Sequence, residues 1–347
     1  MALQKQTSGR LENIAFIKTV MMILVVLYHA MLFFGGTWFT VAKPEGGGEY
    51  LYYIAKWIGT FHIQTFAMAS GYLFYYLRKE KNRYNNPAKD IKKRAKRLLV
   101  PYLFTILLWI MPIGCLFYKF SLKDIIENYV LMLRPDQLWF LIMLFVVFVF
   151  FVLIGKKIKL SFRNLVIIYV ITTGLGLLLS KFSINYFQIA NSVRYILYFY
   201  LGGYIYENHK KISLKQVGIM ILGIILLYAL VLLFRNVNNT FLAVGIRYAE
   251  ILVSVLEVSV IYYLFSKLIE KRKSLVNSRI YHIFEQNSFG IYLFHQQIIY
   301  FVIIWLNGLV YPIVQAILSF VIALFTSLII SLILRRWKVT RFMFGLE

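Results

Sequence analysis

Of the 347 residues, 61% are hydrophobic and only 15% are charged. A soluble domain of this length has no use for so much apolar surface, so the chain is a membrane protein. Its net charge of +24 would suit a nucleic-acid binder, but the basic residues sit in short clusters between apolar runs, as cytoplasmic loops do, and no nucleic-acid partner is expected.

The N-terminal stretch MALQKQTSGRLENIAF places basic residues ahead of a hydrophobic run, as a signal peptide does. That run is about 20 residues long without a clear small-residue cleavage site, so it is expected to remain as the first transmembrane helix, residues 14–35. Within it, FIKTVMMILVVLYHAMLFF carries Lys18 and His29. Eleven positions are about three helical turns, so both side chains leave nearly the same face, roughly 16 Å apart along the axis. A face with two ionisable groups is not one that looks at lipid.

The second expected span, residues 50–77, contains WIGTFHIQTFAMASGYLF with His62. It is followed by RKEKNRYNNPAKDIKKRAKR, Arg78 to Arg97, whose ten basic residues mark a cytoplasmic connection and attract anionic headgroups. The third span, 98–118, holds the single cysteine, Cys115, which has no internal disulfide partner and is expected as a packed, inert thiol. The connection Tyr118 to Gln137 is amphipathic and is expected to lie along the interface. Further apolar runs follow at 138–155, 164–180, 190–206, 216–234, 247–269, 286–306 and 310–334. The eighth carries Arg247, Glu250 and Glu257, spaced for ion pairing on a helix face, and the ninth carries His295.

The expected fold is therefore all-α, a polytopic membrane protein with about ten transmembrane helices. Lys and Arg concentrate at both termini and in the even-numbered connections, which puts the N- and C-termini in the cytoplasm. No connection is long enough for a separate soluble domain and no repeat is evident, so residues 1–347 form a single domain.

Four titratable residues fall near the midplane of this arrangement: His29, His62, Glu257 and His295. Burying ionisable groups at one depth implies an internal polar cavity, and imidazole can exchange a proton near neutral pH. Acid–base chemistry, a proton relay and a metal site would each use it. A metal site would want histidines at i and i+4, which are absent, so none is expected. The G-x-S-x-G elbow of a serine hydrolase is absent too, and ASGYL around Ser70 does not fit it. Gln64, Gln296 and Gln297 read as helix-to-helix hydrogen bonds. A transporter or flippase for a glycan or lipid-linked sugar would also place polar groups along a central path.

Several short motifs now occur in a fixed order: Lys18-x10-His29; FHIQTFAMASGYLF with Phe61, His62, Ser70 and Gly71; RAKRLLVPY with Arg94, Arg97, Pro101 and Tyr102; LWFL at 138–141; FYLGGYIYE at 199–207; and SFGIYLFHQ at 288–296. Through most of its length the chain resembles the acyltransferase family 3 membrane proteins, and the second motif is similar to the sugar O-acetylase branch, with Gln64 where that pattern has proline. The resemblance implies transfer of an acyl group, usually acetyl, from cytoplasmic acyl-CoA to a hydroxyl of a cell-surface polysaccharide or glycolipid sugar, in a multi-pass protein of the bacterial plasma membrane. It implies His29 as the catalytic residue and the R-x-x-R pair, Arg94 and Arg97, as holding the CoA. An arginine fork suits the CoA phosphates.

Lys18 is then expected at the pyrophosphate or the thioester oxygen, and His62 or Lys18 as oxyanion donor. His295 and Glu257 are expected on the acceptor side or behind the catalytic residue, Glu257 fixing one imidazole tautomer. Acetyl-CoA is the expected donor, with no permanently bound cofactor. Expected partners are acyl-CoA, a glycan or lipid-linked sugar acceptor, membrane lipids and polysaccharide-synthesis proteins. Lys18, Arg94 and Arg97 should face one cavity that reaches His29. Trp38 and Trp139 are the two aromatics best placed to stack on an acceptor ring, against an interfacial-belt reading of the remaining aromatics.

Overall fold

Helix follows helix from α1 (Ala2–Leu32) to the C-terminus, and no strand occurs among the described residues. The structure is a computed structural model that describes residues 2–208, 212–234, 237 and 239–346, with side chains from residue 11 onward. After α1 come α2 (Glu49–Gly59), α3 (His62–Glu80), α4 (Pro87–Thr105), a π-helical stretch and α5 (Met111–Phe117), then the short α6 (Leu122–Ile125). The long α7 (Trp139–Leu153), α8 (Phe162–Lys181), α9 (Ile189–Asn208), α10 (Leu214–Phe234) and α11 (Thr240–Lys271) follow. The chain closes with α12 (Ser274–Asn277), α13 (Arg279–Leu306), α14 (Pro312–Leu334) and α15 (Lys338–Phe344).

Eight of the described helices are long and apolar enough to cross a membrane. Every expected span overlaps a helix. Two of them do not meet that criterion for different reasons. The second is broken at Thr60 and Phe61 into α2 and α3, and the sixth, α9, carries Asn191, Arg194 and five tyrosines among its 20 residues.

Local chemistry explains where the elements that build the site begin. Asn86 caps α4 by accepting a hydrogen bond from the Lys89 amide (3.1 Å), Asp90 accepts from the Asn86 amide (3.2 Å), and Pro87 opens the first turn. This reciprocal cap fixes the register from which Arg94 and Arg97 project one turn apart. Gly71 of α3 lies against the Phe199 backbone of α9, and Gly202 of α9 against the Met68 backbone of α3. A methyl group at either position would overlap the other helix, so the small residues of ASGYL and FYLGGY set a close helix crossing.

On α13 every residue from Gly290 to Tyr300 is buried, the mark of a helix enclosed on all sides. It packs against α1 and α14, while α1 also meets α3 and α3 meets α9. By contrast α10 buries only Val217 and Val231 and leans on α11, as a lipid-facing helix would. The expectation of a packed Cys115 is not met: the residue is exposed on α5, in a segment none of whose residues is buried. The connection 118–137 holds α6 and a second π-helical turn to Val130 before Asp136 turns inward.

Candidate active site

One stripe of α1 supplies wall to two cavities. Ala15, Lys18, Thr19 and Met22 line the first, and Val25, Tyr28, His29 and Leu32 line the second. The spacing is that of a single helix face, so the sequence itself aligns the two sites on one axis.

The first cavity, about 310 Å³, is basic. Lys18, Arg94 and Arg97 line it against one carboxylate, Glu285, and among the described residues no carboxylate lies within ion-pair distance of the three cations. The Lys18 ammonium stands 5.0 Å from the centre of the Phe66 ring, and the Arg94 guanidinium 5.0 Å from that of Phe148. Aromatic faces hold these cations without neutralising them. The Nε of Arg94 is buried and has no hydrogen-bond partner; Arg97 is exposed at the lip. Tyr84 stacks on Phe74 with ring centres 4.7 Å apart, and burial pushes its phenol above the usual value, so it stays a neutral hydroxyl donor. Three cations and a hydroxyl facing one void make an anion site.

The second cavity, about 620 Å³, gathers His29, His62, Trp38, Trp139 and Asp136 with the amides of Gln188, Asn191 and Gln296. Behind His29 lies His295, fully buried. Its Nδ1 faces two carbonyls, Ile291 at 3.1 Å and Tyr292 at 2.9 Å, and its Nε2 faces Nδ1 of His29 at 3.2 Å. Carbonyls only accept, so His295 carries its proton on Nδ1 and presents a lone pair at Nε2. Nδ1 of His29 therefore meets two acceptors, that lone pair and the Val25 carbonyl at 2.9 Å, and must itself be protonated. The pairing leaves the free lone pair of a neutral His29 on Nε2, the atom a general base needs. His62 likewise donates Nδ1–H to the Ile58 carbonyl at 2.7 Å, and Tyr28 packs on its ring with centres 4.7 Å apart.

Glu257 does not take part in this arrangement, which corrects the expectation that it fixes an imidazole tautomer. Its carboxylate accepts from Thr60 Oγ1 at 2.7 Å and from the Tyr228 hydroxyl at 3.1 Å. Ser254, one turn before it on α11, donates to the Thr60 carbonyl at 2.5 Å. The reason is positional: α11 faces the break between α2 and α3, and Glu257 clasps that break, while helix carbonyls orient the imidazoles. The basic cavity also does not run through to His29. Phe140 and Tyr292 line both voids and stand between them.

The family model for the acyltransferase domain matches residues 11–336. The chain belongs to acyltransferase family 3. No curated protein and no solved structure matches it. Family membership makes this protein a membrane acyltransferase.

Asp136, Gln137, Gln188, Asn191 and Tyr300 of the acyltransferase were not singled out from the sequence. Asp136 has a left-handed backbone, φ 46°, and accepts from the Tyr129 hydroxyl at 3.0 Å. Gln137 donates to the Leu293 carbonyl and to Gln297, both at 2.9 Å. The available signal was RPDQ immediately before LWFL: a Pro-Asp pair at the mouth of an apolar run favours a turn, and a turn there carries Asp136 back into the bundle.

Proposed function

We propose that this acyltransferase moves an acyl group, acetyl in the first instance, from acyl-CoA held in the basic cavity to a sugar hydroxyl seated in the histidine cavity. The observation that carries the reading is the single α1 face that puts Lys18 in one cavity and His29 in the other, roughly 16 Å apart. Lys18, Arg94 and Arg97 suit the CoA phosphates, and the extended pantetheine arm suits the distance to His29. The positive-inside distribution supports a cytoplasmic location for this basic end and both termini, on the side where acyl-CoA is made. The acceptor is a glycan or a lipid-linked sugar, for which Trp38 and Trp139 offer ring faces and the neighbouring amides offer hydrogen bonds.

In the reaction the acceptor oxygen attacks the thioester carbonyl while Nε2 of His29 takes the hydroxyl proton. Protonated on both nitrogens, His62 would donate Nε2–H to the oxyanion while its Nδ1–H stays on the Ile58 carbonyl, and Lys18 remains with the CoA phosphates in the other cavity. The C–S bond then breaks, the new C–O ester bond remains, and His29 returns the proton to the CoA thiolate. His295 holds the His29 tautomer throughout. The deciding experiment incubates the detergent-purified protein with radiolabelled acetyl-CoA and a membrane glycan fraction. CoA release together with label on glycan, both lost in His29→Ala, supports the reading. Sugar movement across vesicles with no label transfer in any preparation would replace it with a transporter or flippase.

A further inference from the structure

Phe140 and Tyr292 are the only described residues that border both cavities, and they differ in how they are held. Tyr292 is a fixed post. Its hydroxyl donates to the Gln137 carbonyl, its ring stacks on Phe289, and the Gln137 side chain is itself bonded to Leu293 and Gln297. Phe140 has no hydrogen bond to hold its ring, which lies edge-to-face to Phe66 with centres 5.3 Å apart and to Trp139 and Tyr292 with centres 6.2 Å apart in each case. It sits in the first turn of α7, just beyond the left-handed Asp136. Both rings are buried. Turning Phe140 to another rotamer costs packing contacts only, whereas turning Tyr292 must also break its hydrogen bond.

We propose that Phe140, closing against Tyr292, is the residue that restricts the acyl group reaching His29 to short chains and keeps water of the histidine cavity away from the thioester. The inference rests on the acyl-transfer reading above. The reasoning is steric. The rings lie edge-to-face with centres 6.2 Å apart, too close to admit a chain between them, so an acyl-pantetheine arm passes only while Phe140 is turned away, and each added methylene must then be accommodated beside a displaced ring. A pocket distinguishes one methylene by about tenfold or more. With the rings closed, the same contact shields a bound thioester from a water that would otherwise attack it and release free acid and CoA thiol.

Two measurements test this. The first does not depend on turnover. In a Cys115→Ser background, which has no cysteine left, Ser70→Cys places a thiol in the basic cavity. A small membrane-impermeant thiol reagent should label it in inside-out vesicles and not in intact cells, and adding Phe140→Ala should open labelling from the outside. Labelling from both sides with Phe140 intact overturns the partition, as does one-sided labelling that Phe140→Ala leaves unchanged. The second measures CoA release from acetyl-, butanoyl- and hexanoyl-CoA. Phe140→Ala should raise hexanoyl relative to acetyl turnover by about tenfold and raise acceptor-independent hydrolysis, with Phe140→Leu intermediate and serving where the alanine variant folds poorly. An unchanged acyl ranking in both variants overturns the size limit. If the parent protein releases no CoA from any donor, the acyl-transfer reading and the size limit fall together, and the labelling result still decides whether Phe140 divides the cavities.

Discussion

Nδ1 of His29 is held by two acceptors at once, and that sets the ranking of substitutions around it. His29→Ala should lower acyl transfer by roughly 10²-fold or more, the usual contribution of a positioned base, with the protein still inserted and still binding CoA by equilibrium titration. His295→Ala removes one acceptor and leaves the Val25 carbonyl, so its loss should be smaller, about tenfold, and should fall on kcat more than on KM. An equal loss in both variants would mean that His295 does more than hold a tautomer. On the other side, Arg94 is half-buried with an unpartnered Nε, and Arg97 is exposed at the lip. A hydrogen bond to a charged group is worth about 1.5–3 kcal/mol, so Arg94→Ala should raise the KM for acyl-CoA by roughly tenfold to a hundredfold. Arg97→Ala should raise it less and lose more of its effect at high salt, because exposed charges are screened. Salt titrations of KM that are parallel for the two variants would contradict this assignment.

At the level of single helices, the crossing of α3 over α9 depends on glycine. Gly71→Ala or Gly202→Ala should cost about 1–3 kcal/mol through overpacking, seen as a lower thermal midpoint in detergent. An unchanged midpoint would show that the two helices separate without penalty. Asn86→Ala removes the α4 cap and should cost about 1 kcal/mol, with a higher KM for acyl-CoA as the first turns fray. The helices themselves were legible in the sequence because apolar runs of membrane length leave few alternatives. The break at Thr60 and Phe61 was not. No proline marks it, and the bonds that stabilise it come from Ser254 and Glu257, almost 200 positions away. Glu257 was misplaced for the same reason: its depth was readable, but the partner it reaches depends on which face of α11 meets the α2–α3 break. Lys18, from the middle of α1, and Arg94 and Arg97, from the middle of α4, line one cavity. Asp136 was missed because an acid ahead of an apolar run reads as an ordinary helix start.

Across the whole molecule, a basic cavity and a histidine cavity lie one after the other along α1, and two aromatic rings divide them. The relation between the two sites is written into the eleven-residue interval of α1. That interval works as a vernier. Inserting one alanine between Met22 and Val25 would turn His29 by about 100° relative to Lys18 and push it 1.5 Å further along. The helix would survive, since alanine is its best former, and the basic cavity would remain intact. Acyl-CoA would still bind, and the imidazole would face a helix neighbour in place of the cavity. Inserting four residues would bring His29 back to within about 40° of its starting direction, now about 6 Å farther from the basic cavity. Partial recovery in the four-residue insertion, preferentially with a donor whose arm is extended by a few atoms, would show that α1 meters the distance over which the acyl group is handed across.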